Sequence, residues 1–437
     1  MHMPNGGRER LPQGVIRPVR CVDCPAVGFL PPQAMPTPSP SILVLNGGSS
    51  SIRFALLRAD ARLTRICSGT LNGIGEADAW LGIDSDADAP ARQAIAARDP
   101  AEAIQSLVQW LRQGHGVDAI AAVGHRVVHG MNHFDPERIT PDLLAALRRI
   151  EPVDPDHLPV EIALIEAVGR VLPGLPQVAC FDTRFHQHLP RVAAQLALPR
   201  RFEAQGLRRY GFHGLSYDFL LHELERIAGA RVARGRVILA HLGGGASLAA
   251  VRDGRCIDTT MSFTPTAGLV MGTRSGDLDP SLAPYLERTA GIGSAQFLKM
   301  VNHESGLLGV SETSADMREL LAAEAGDPRA AEAVALFCYQ VRKAIGSFAA
   351  ALGGLDTLVF AGGIGENAPA IRARIADGLQ FLGVDVDGRG NAAASGLISS
   401  PTGRVAVHVI RTNEAHVIAR AVRDLLALDA SGQESRP

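Results

Sequence analysis

No run of about 18 consecutive apolar residues occurs in this chain, so no segment reads as a transmembrane helix. A surplus of one charge is also missing. Lys plus Arg number 43 against 45 Asp plus Glu, a formal net charge of -2, which argues against a nucleic-acid or membrane-surface partner. Cysteine is sparse, with six residues in all: Cys21, Cys24, Cys67, Cys180, Cys256 and Cys338. Only Cys21 and Cys24 form a CxxC, and no second pair follows to complete a zinc site. Such a scattered set, without a secretory signal, fits a reduced, cytoplasmic protein. What is present is bulk: 437 residues that are 46% hydrophobic suffice for two or three domains with substantial cores.

Residues 1–40 are rich in proline and glycine, lack lasting periodicity and read as a disordered tail. From Ile42 the pattern is alternating α/β. The stretch "ILVLN" is a strand, "GGSS" a small-residue turn, "SIRFALL" a second strand, "RADAR" a turn and "LTRICSGTL" a third strand. From Val237, "VILAHLGGGASLAAVRDGRCIDTT" repeats that plan: strand, glycine-rich turn, strand, Asp-Gly turn, strand. This predicts an internal duplication of a β-meander. Further on, Val334, Phe337, Val341, Ile345 and Phe348 recur at helical spacing. "DTLVFAGGIGENAPAIRARIADGL" then predicts a strand, a Gly-Gly-Ile-Gly turn and a helix that starts at Pro369.

Glycine lets a backbone approach a ligand closely, and successive N–H groups in such a turn form a concave nest for an anion. Serine adds donors without bulk. Three such stretches, two of them in duplicated meanders, point to a nucleotide held between two similar domains. The phosphate-binding pattern GxxxxGK[ST] is absent. Gly363, Gly365 and Ala368 satisfy GxGxxA after a strand, with Asp385 further on, but too little chain follows for a dinucleotide-binding domain.

"NGGSSS", "GHRVVHG", "FDTRFH", "YGFHG", "HLGGGAS", "MGTRSGDLDP", "ADMR", "GGIGEN" and "TNE" follow one another in the order of the acetate kinase family of short-chain acyl kinases. The resemblance runs from about Ser41 past Glu414. It implies an α/β, duplicated actin-like (ribonuclease H-like) two-domain fold with nucleotide in the interdomain cleft. The layout it implies is residues 41–183 plus 414–437 as one domain and 184–413 as a second, nucleotide-binding and dimerising domain. The implied reaction moves the γ-phosphoryl group of ATP reversibly onto a carboxylate, giving ADP and an acyl phosphate, with Mg²⁺ or Mn²⁺ in attendance. Acetyl phosphate would then feed acetyl-CoA formation.

The resemblance also implies roles. Arg126 and Arg274 would clamp carboxylate and phosphoryl group, a task the guanidinium fork suits. His213 and His157 would line the phosphoryl site, although the family's Leu-His-Asn-Pro reads Asp156-His157-Leu158-Pro159 here. Asp182 matches the family's active-site aspartate. Asn46 and Glu414 would stand on the magnesium side, and Ser49, Ser51 and Arg53 would complete the first turn, with Arg53 replacing a usual lysine. His241, Gly243, Gly244 and Gly245 form the second phosphate turn, where Gly244 replaces asparagine. Asp316, Met317 and Arg318 would meet ribose and base. Gly362, Gly363, Ile364, Gly365 and Asn367 would form the adenine cleft. His125, His129 and His133 mimic metal ligands by spacing alone, and Arg148 and Arg149 read as a solvated helix face.

Val128, Phe212 and Pro265 would surround the substrate's alkyl end, and the fourth wall, usually leucine, is Asp156. A buried unpaired charge is costly, so Asp156 should turn outward or pair with a cation. Phe212 and Pro265 favour acetate, with propionate the alternative. A pyrophosphate-dependent relative and a non-catalytic nucleotide switch on the same scaffold are the competing readings.

Overall fold

The computed structural model describes residues 40–48, 50–84, 91–113, 119–393 and 396–428. The expectations for residues 1–39, for Cys21 and Cys24 and for Ser49 fall outside the described residues.

The first meander is formed by β1 (Ser41–Gly47), β2 (Ser51–Arg58) and β3 (Arg65–Asn72). It is extended by β4 (Trp80–Ile83), β5 (Ala91–Ala94), β6 (Ile120–Val127), β7 (Glu137–Arg138) and β8 (Gln177–Phe181) into one sheet of order β5-β4-β3-β2-β1-β6-β8-β7. The second meander comprises β9 (Val237–Leu242), β10 (Ala246–Arg252) and β11 (Arg255–Thr259). With β12 (Thr357–Ala361), β13 (Gly396–Leu397) and β14 (Ala406–Val409) it forms a sheet of order β11-β10-β9-β12-β14-β13.

The duplication expected from the glycine-punctuated strands is therefore structural. In each sheet an antiparallel meander continues into two parallel strands: β6 and β8 beside β1, and β12 and β14 beside β9. The result is a duplicated, actin-like α/β fold. The strands of each parallel centre are covered on both faces, which explains their unbroken apolar character. Leu43 and Leu45 pack on one side of the first sheet with Leu107 and Leu164. Ile42 and Val44 face the opposite way, against Val417, Ile418 and Val422 of the helix Glu414–Leu426. A Cβ at Gly124 of β6 would come within 2.5 Å of Ile418, so glycine lets this last helix lie close on the first sheet.

In the second lobe, Ile238, Ala240 and Leu242 pack on Val334, Phe337, Val341, Ile345 and Phe348. These belong to the long helix Pro328–Leu352, which is capped by the Asp327 side chain and ended by Gly353 at φ 72°.

One local expectation fails. The Gly-Gly-Ile-Gly stretch is not a turn but the start of a helix, Gly362–Asn367. Glu366 accepts a hydrogen bond from the Gly362 N–H at 3.0 Å, and the buried Arg372 guanidinium donates to the carbonyls of Gly365 and Glu366 at 2.8 and 2.9 Å. The helix's own Glu366 side chain thereby satisfies its first N–H, and Arg372 of the following helix satisfies carbonyls at its other end. Among the described residues, no helix is long and apolar enough to cross a membrane.

Candidate active site

Arg126 lies near the carboxyl end of β6 and Asp182 directly after β8, its parallel neighbour. The carboxyl edge of parallel strands is where open α/β sheets bind ligands. Here it brings the Arg126 guanidinium to 2.7 Å from the fully buried Asp182 carboxylate. The same carboxylate accepts the His213 N–H at 3.1 Å, linking the first sheet to the helix Gly214–Ala228. Burial opposes the charge on Arg126, but the nearby Asp182, Glu414 and Glu161 carboxylates outweigh it and raise its pKa. Glu161 is buried with its carboxylate accepting the Val128 N–H at 3.0 Å; burial pushes its pKa up to about 7, with Arg126 pulling the other way. Glu414 is also raised, by burial first and partly by Asp182.

Arg274 enters from a loop of the second lobe and is tethered by a bond to the Pro265 carbonyl at 2.7 Å. Burial lowers its pKa and the neighbouring Arg126 lowers it further. No carboxylate lies within ion-pair distance of Arg274 among the described residues, unlike Arg126. The two guanidinium groups repel each other, and Asp154 and Asp156 offset the Arg274 charge only through space, so the pair suits an anion. A Cβ at Gly245 would sit 2.9 Å from an Arg274 terminal nitrogen and 3.1 Å from His213 Nε2. Glycine at that position therefore lets the second bend, the arginine and the histidine converge.

The rings of His213 and His241 stack at 4.3 Å. Both are held neutral at pH 7. His213 is driven well below its usual range by burial and by His241, Arg274 and Arg126, and His241 falls to about 4, chiefly through burial. They serve as neutral hydrogen-bonding groups beside the arginine charges.

Asn46, Arg53, Arg126, His213, His241, Gly243, Gly244, Gly245, Gly362, Gly363 and Glu414 line one cleft of about 790 Å³. A second recess of about 690 Å³ shares Arg53, Gly243, Gly244 and Gly363 with it, and adds Asp316, Met317, Arg318, Ile364 and Asn367. Asp316 caps the helix Met317–Ala323 and forks with the exposed Arg318 side chain. The two recesses meet at Arg53, Gly243, Gly244 and Gly363.

Other expected residues sit elsewhere. Ser51 lines neither recess. Gly47, the last residue of β1, and Gly48 border a separate hollow of about 330 Å³ against Leu164, so among the described residues of this bend it is the flanks, Asn46 and Arg53, that reach the cleft. Those flanks face each other across β1 and β2. Gly365 is buried, and its carbonyl is held by Arg372. His157 stands at the start of the helix Leu158–Val171 with its ring on Asp154 at 2.8 Å, and it lines neither recess. Val128 and Phe212 share one buried cluster, and Pro265 is buried beside Arg274. Asp156 reaches across to the second lobe, where Asn302 donates to it at 2.9 Å and His303 lies at 3.3 Å, so the carboxylate is partnered. His125, His129 and His133 do not converge: they bond Gln177, the Met131 N–H and Glu137 respectively. Arg148 and Arg149 are exposed, and Asp385 accepts a bond from Ser400 in a turn.

Several site residues were not singled out by the sequence, though Glu366 lies within the motif "GGIGEN". Glu366 joins the Gly362 N–H to the Thr412 N–H just before Glu414. Arg372 supports the same helix, and Glu161 holds the chain at Val128. Ser247 and Tyr217 sit behind His213, within or beside the recognisable motifs "HLGGGAS" and "YGFHG".

The Acetokinase family model matches residues 41–420. The chain belongs to this family. It is 45% identical over 390 residues to the acetate kinase of Rhodopseudomonas palustris, spanning 87% of this chain and 97% of that one. It is 43% identical over 392 residues to the propionate kinase of Citrobacter rodentium, spanning 88% and 96%. The crystal structure of Porphyromonas gingivalis acetate kinase superposes with a TM-score of 0.81 at 34% identity, covering 89% of this chain and all of that one. Membership in the Acetokinase family agrees with the ordered motifs and with the arginine-centred cleft.

Proposed function

We propose that this protein is an acetate kinase that transfers the γ-phosphoryl group of ATP reversibly to acetate, giving acetyl phosphate and ADP. The observation that carries this reading is the convergence of Arg126 and Arg274, the latter without an ion-pair contact among the described residues, beside Gly245 in a cleft that both meanders line.

A carboxylate is ionised at neutral pH, so the acceptor needs no general base. One carboxylate oxygen attacks the γ-phosphorus as the bond to the ADP oxygen breaks, and no proton moves. The chemical obstacle is the approach of an anion to a polyanion. Arg126 and Arg274 supply charge and alignment, and Asp182 holds Arg126 in place while accepting the His213 N–H. The backbone of Gly243, Gly244 and Gly245 cradles phosphates, and the recess at Asp316, Ile364 and Asn367 takes the nucleoside.

Asn46 and Glu414 offer hard oxygen atoms in the cleft, and the repulsion between Glu414 and Asp182 is one a cation would relieve. This donor set fits Mg²⁺ or Mn²⁺ held by few protein ligands plus phosphate. When bound, the cation supplies charge neutralisation across the phosphates. His157, tied to Asp154, is assigned to the phosphoryl site on the family resemblance.

The pocket of Val128, Phe212 and Pro265 favours the smaller acyl group. Similarity alone does not separate acetate from propionate, since relatives of both kinds stand at 45% and 43% identity. The reading extends to the domain layout of 41–183 plus 414–437 and 184–413, to a cytoplasmic location and to a homodimer through the second domain. Exposed Leu282, Tyr285 and Leu298 on the helices Leu282–Ala290 and Ser294–His303 support the dimer.

Initial rates with acetate, propionate and butyrate, each with ATP or pyrophosphate as donor, test this function. Acetate with ATP should give the highest kcat/KM. Propionate should trail by no more than roughly 10- to 200-fold, the discrimination one methylene allows. A higher value with propionate transfers the assignment to that acid. ATP-independent turnover, or no acyl phosphate from any acid, overturns it.

A further inference from the structure

Behind His213 lies a pair of hydroxyl groups for which the reaction has no direct use. Ser247 Oγ is 2.8 Å from His213 Nδ1, and the Tyr217 phenol oxygen is 2.5 Å from the same Ser247 oxygen. Tyr217 and Ser247 are fully buried, so neither hydroxyl can turn to water. We infer that Tyr217 and Ser247 are positioning residues, a hydroxyl relay that locks His213 in the tautomer carrying its proton on Nε2.

The argument is one of donor accounting. A buried hydroxyl left without an acceptor keeps the full penalty of its lost hydration. The phenol's side-chain partner among the described hydrogen bonds is Ser247, so Tyr217 donates to Ser247 Oγ. The serine proton then has one acceptor left, His213 Nδ1. An Nδ1 that accepts bears a lone pair, and in a neutral imidazole the proton must then reside on Nε2. The reverse polarity would leave the phenol proton unbonded in the core. Burial raises the Tyr217 pKa, which keeps that proton on the phenol.

The consequence is chemical. Nε2 is the ring nitrogen nearest Gly245, on the side where Arg274 converges. With the relay intact, His213 presents an N–H donor there, suited to a phosphoryl oxygen. With the other tautomer it would present a lone pair to an anion.

This rests on the reading of His213 as a phosphoryl-site donor, but the tautomer can be read without turnover. The test is nitrogen–proton correlation NMR on ¹⁵N-histidine-labelled protein, with the His213 signals assigned by their loss in His213→Gln. The wild type should show Nε2 protonated and Nδ1 bare. Ser247→Ala should mix the tautomers and lower kcat roughly 10- to 100-fold, less than outright loss of a transition-state donor. Its KM values for ATP and acetate should move little. Tyr217→Phe should give a partial shift in the same direction. A proton on Nδ1 in the wild type overturns the relay. So does a Ser247→Ala protein whose tautomer and kcat are unchanged while only its melting temperature falls, because that is packing alone. Absence of acetate phosphorylation beside a locked Nε2–H tautomer would leave the relay standing and sink the acetate reading instead.

Discussion

The two glycine bends have the same place in duplicated meanders but do different work. The first, between β1 and β2, sets Gly47 at the end of β1 against Leu164 and, among its described residues, reaches the cleft through the side chains that flank it, Asn46 and Arg53. The second, between β9 and β10, lines both recesses with its own backbone. After duplication, one copy thus supplies side-chain charge and oxygen atoms, and the other supplies an open backbone surface. A small-residue turn is a shape that either role can use.

Substitutions at one glycine from each bend sharpen the contrast. Gly245→Ala should have the largest effect: a Cβ 2.9 Å from the Arg274 nitrogen displaces the guanidinium, and kcat should fall by about 10²-fold or more with the melting temperature nearly unchanged. Steady-state kinetics beside a thermal melt reads both quantities. Gly47→Ala meets Leu164 Cδ2 at 3.0 Å, so its cost should appear as about 1–3 kcal/mol of stability with turnover largely kept. If the two outcomes were exchanged, the division of labour would be wrong.

Charge divides along a similar line. Buried His125, His129, His186 and His241 are held at about 4 and His213 is driven well below its usual value, while Glu161 is raised to about 7 and Glu414 is raised as well. Between the ordinary histidine value of 6.5 and about 4, the unfolded chain binds protons that these folded imidazoles refuse, so stability is lost as pH falls through that window. The two carboxylates act oppositely, since their folded forms keep protons that the unfolded chain releases. The histidines are more numerous, so the melting temperature should drop from pH 7 to pH 5. A rise would place the carboxylates in control.

The smallest effect is expected at Gly244. A Cβ there meets no heavy atom within 4 Å, so Gly244→Asn should fold normally. An added side-chain donor near the phosphates should lower KM for ATP by about 2- to 10-fold, the value of one net hydrogen bond.

The duplication, the strand order around each bend and the arginine and histidine motifs were all legible because local patterns carry them: apolar runs, punctuating glycines and short motifs. Arg372 was not, because "AIRARIA" looks like an ordinary helix, and its burial against Gly365, Glu366 and Asn391 exists only in three dimensions. Asp156 stood out as a charge in an apolar wall, but its partners, Asn302 and His303, come from the other lobe. The helical start at Gly362 was hidden because side-chain bonds from Glu366 and the buried Arg372, not backbone propensity, complete its ends.

The central claim is that two cationic side chains allow a carboxylate and a triphosphate to meet in the shared cleft. Trapping the acyl phosphate with hydroxylamine, from acetate and ATP, in wild type and Arg274→Ala tests it most directly. The account predicts abundant acetohydroxamate from the wild type and a loss of about 10²- to 10³-fold in a variant that melts normally. Near-normal hydroxamate from Arg274→Ala would contradict it.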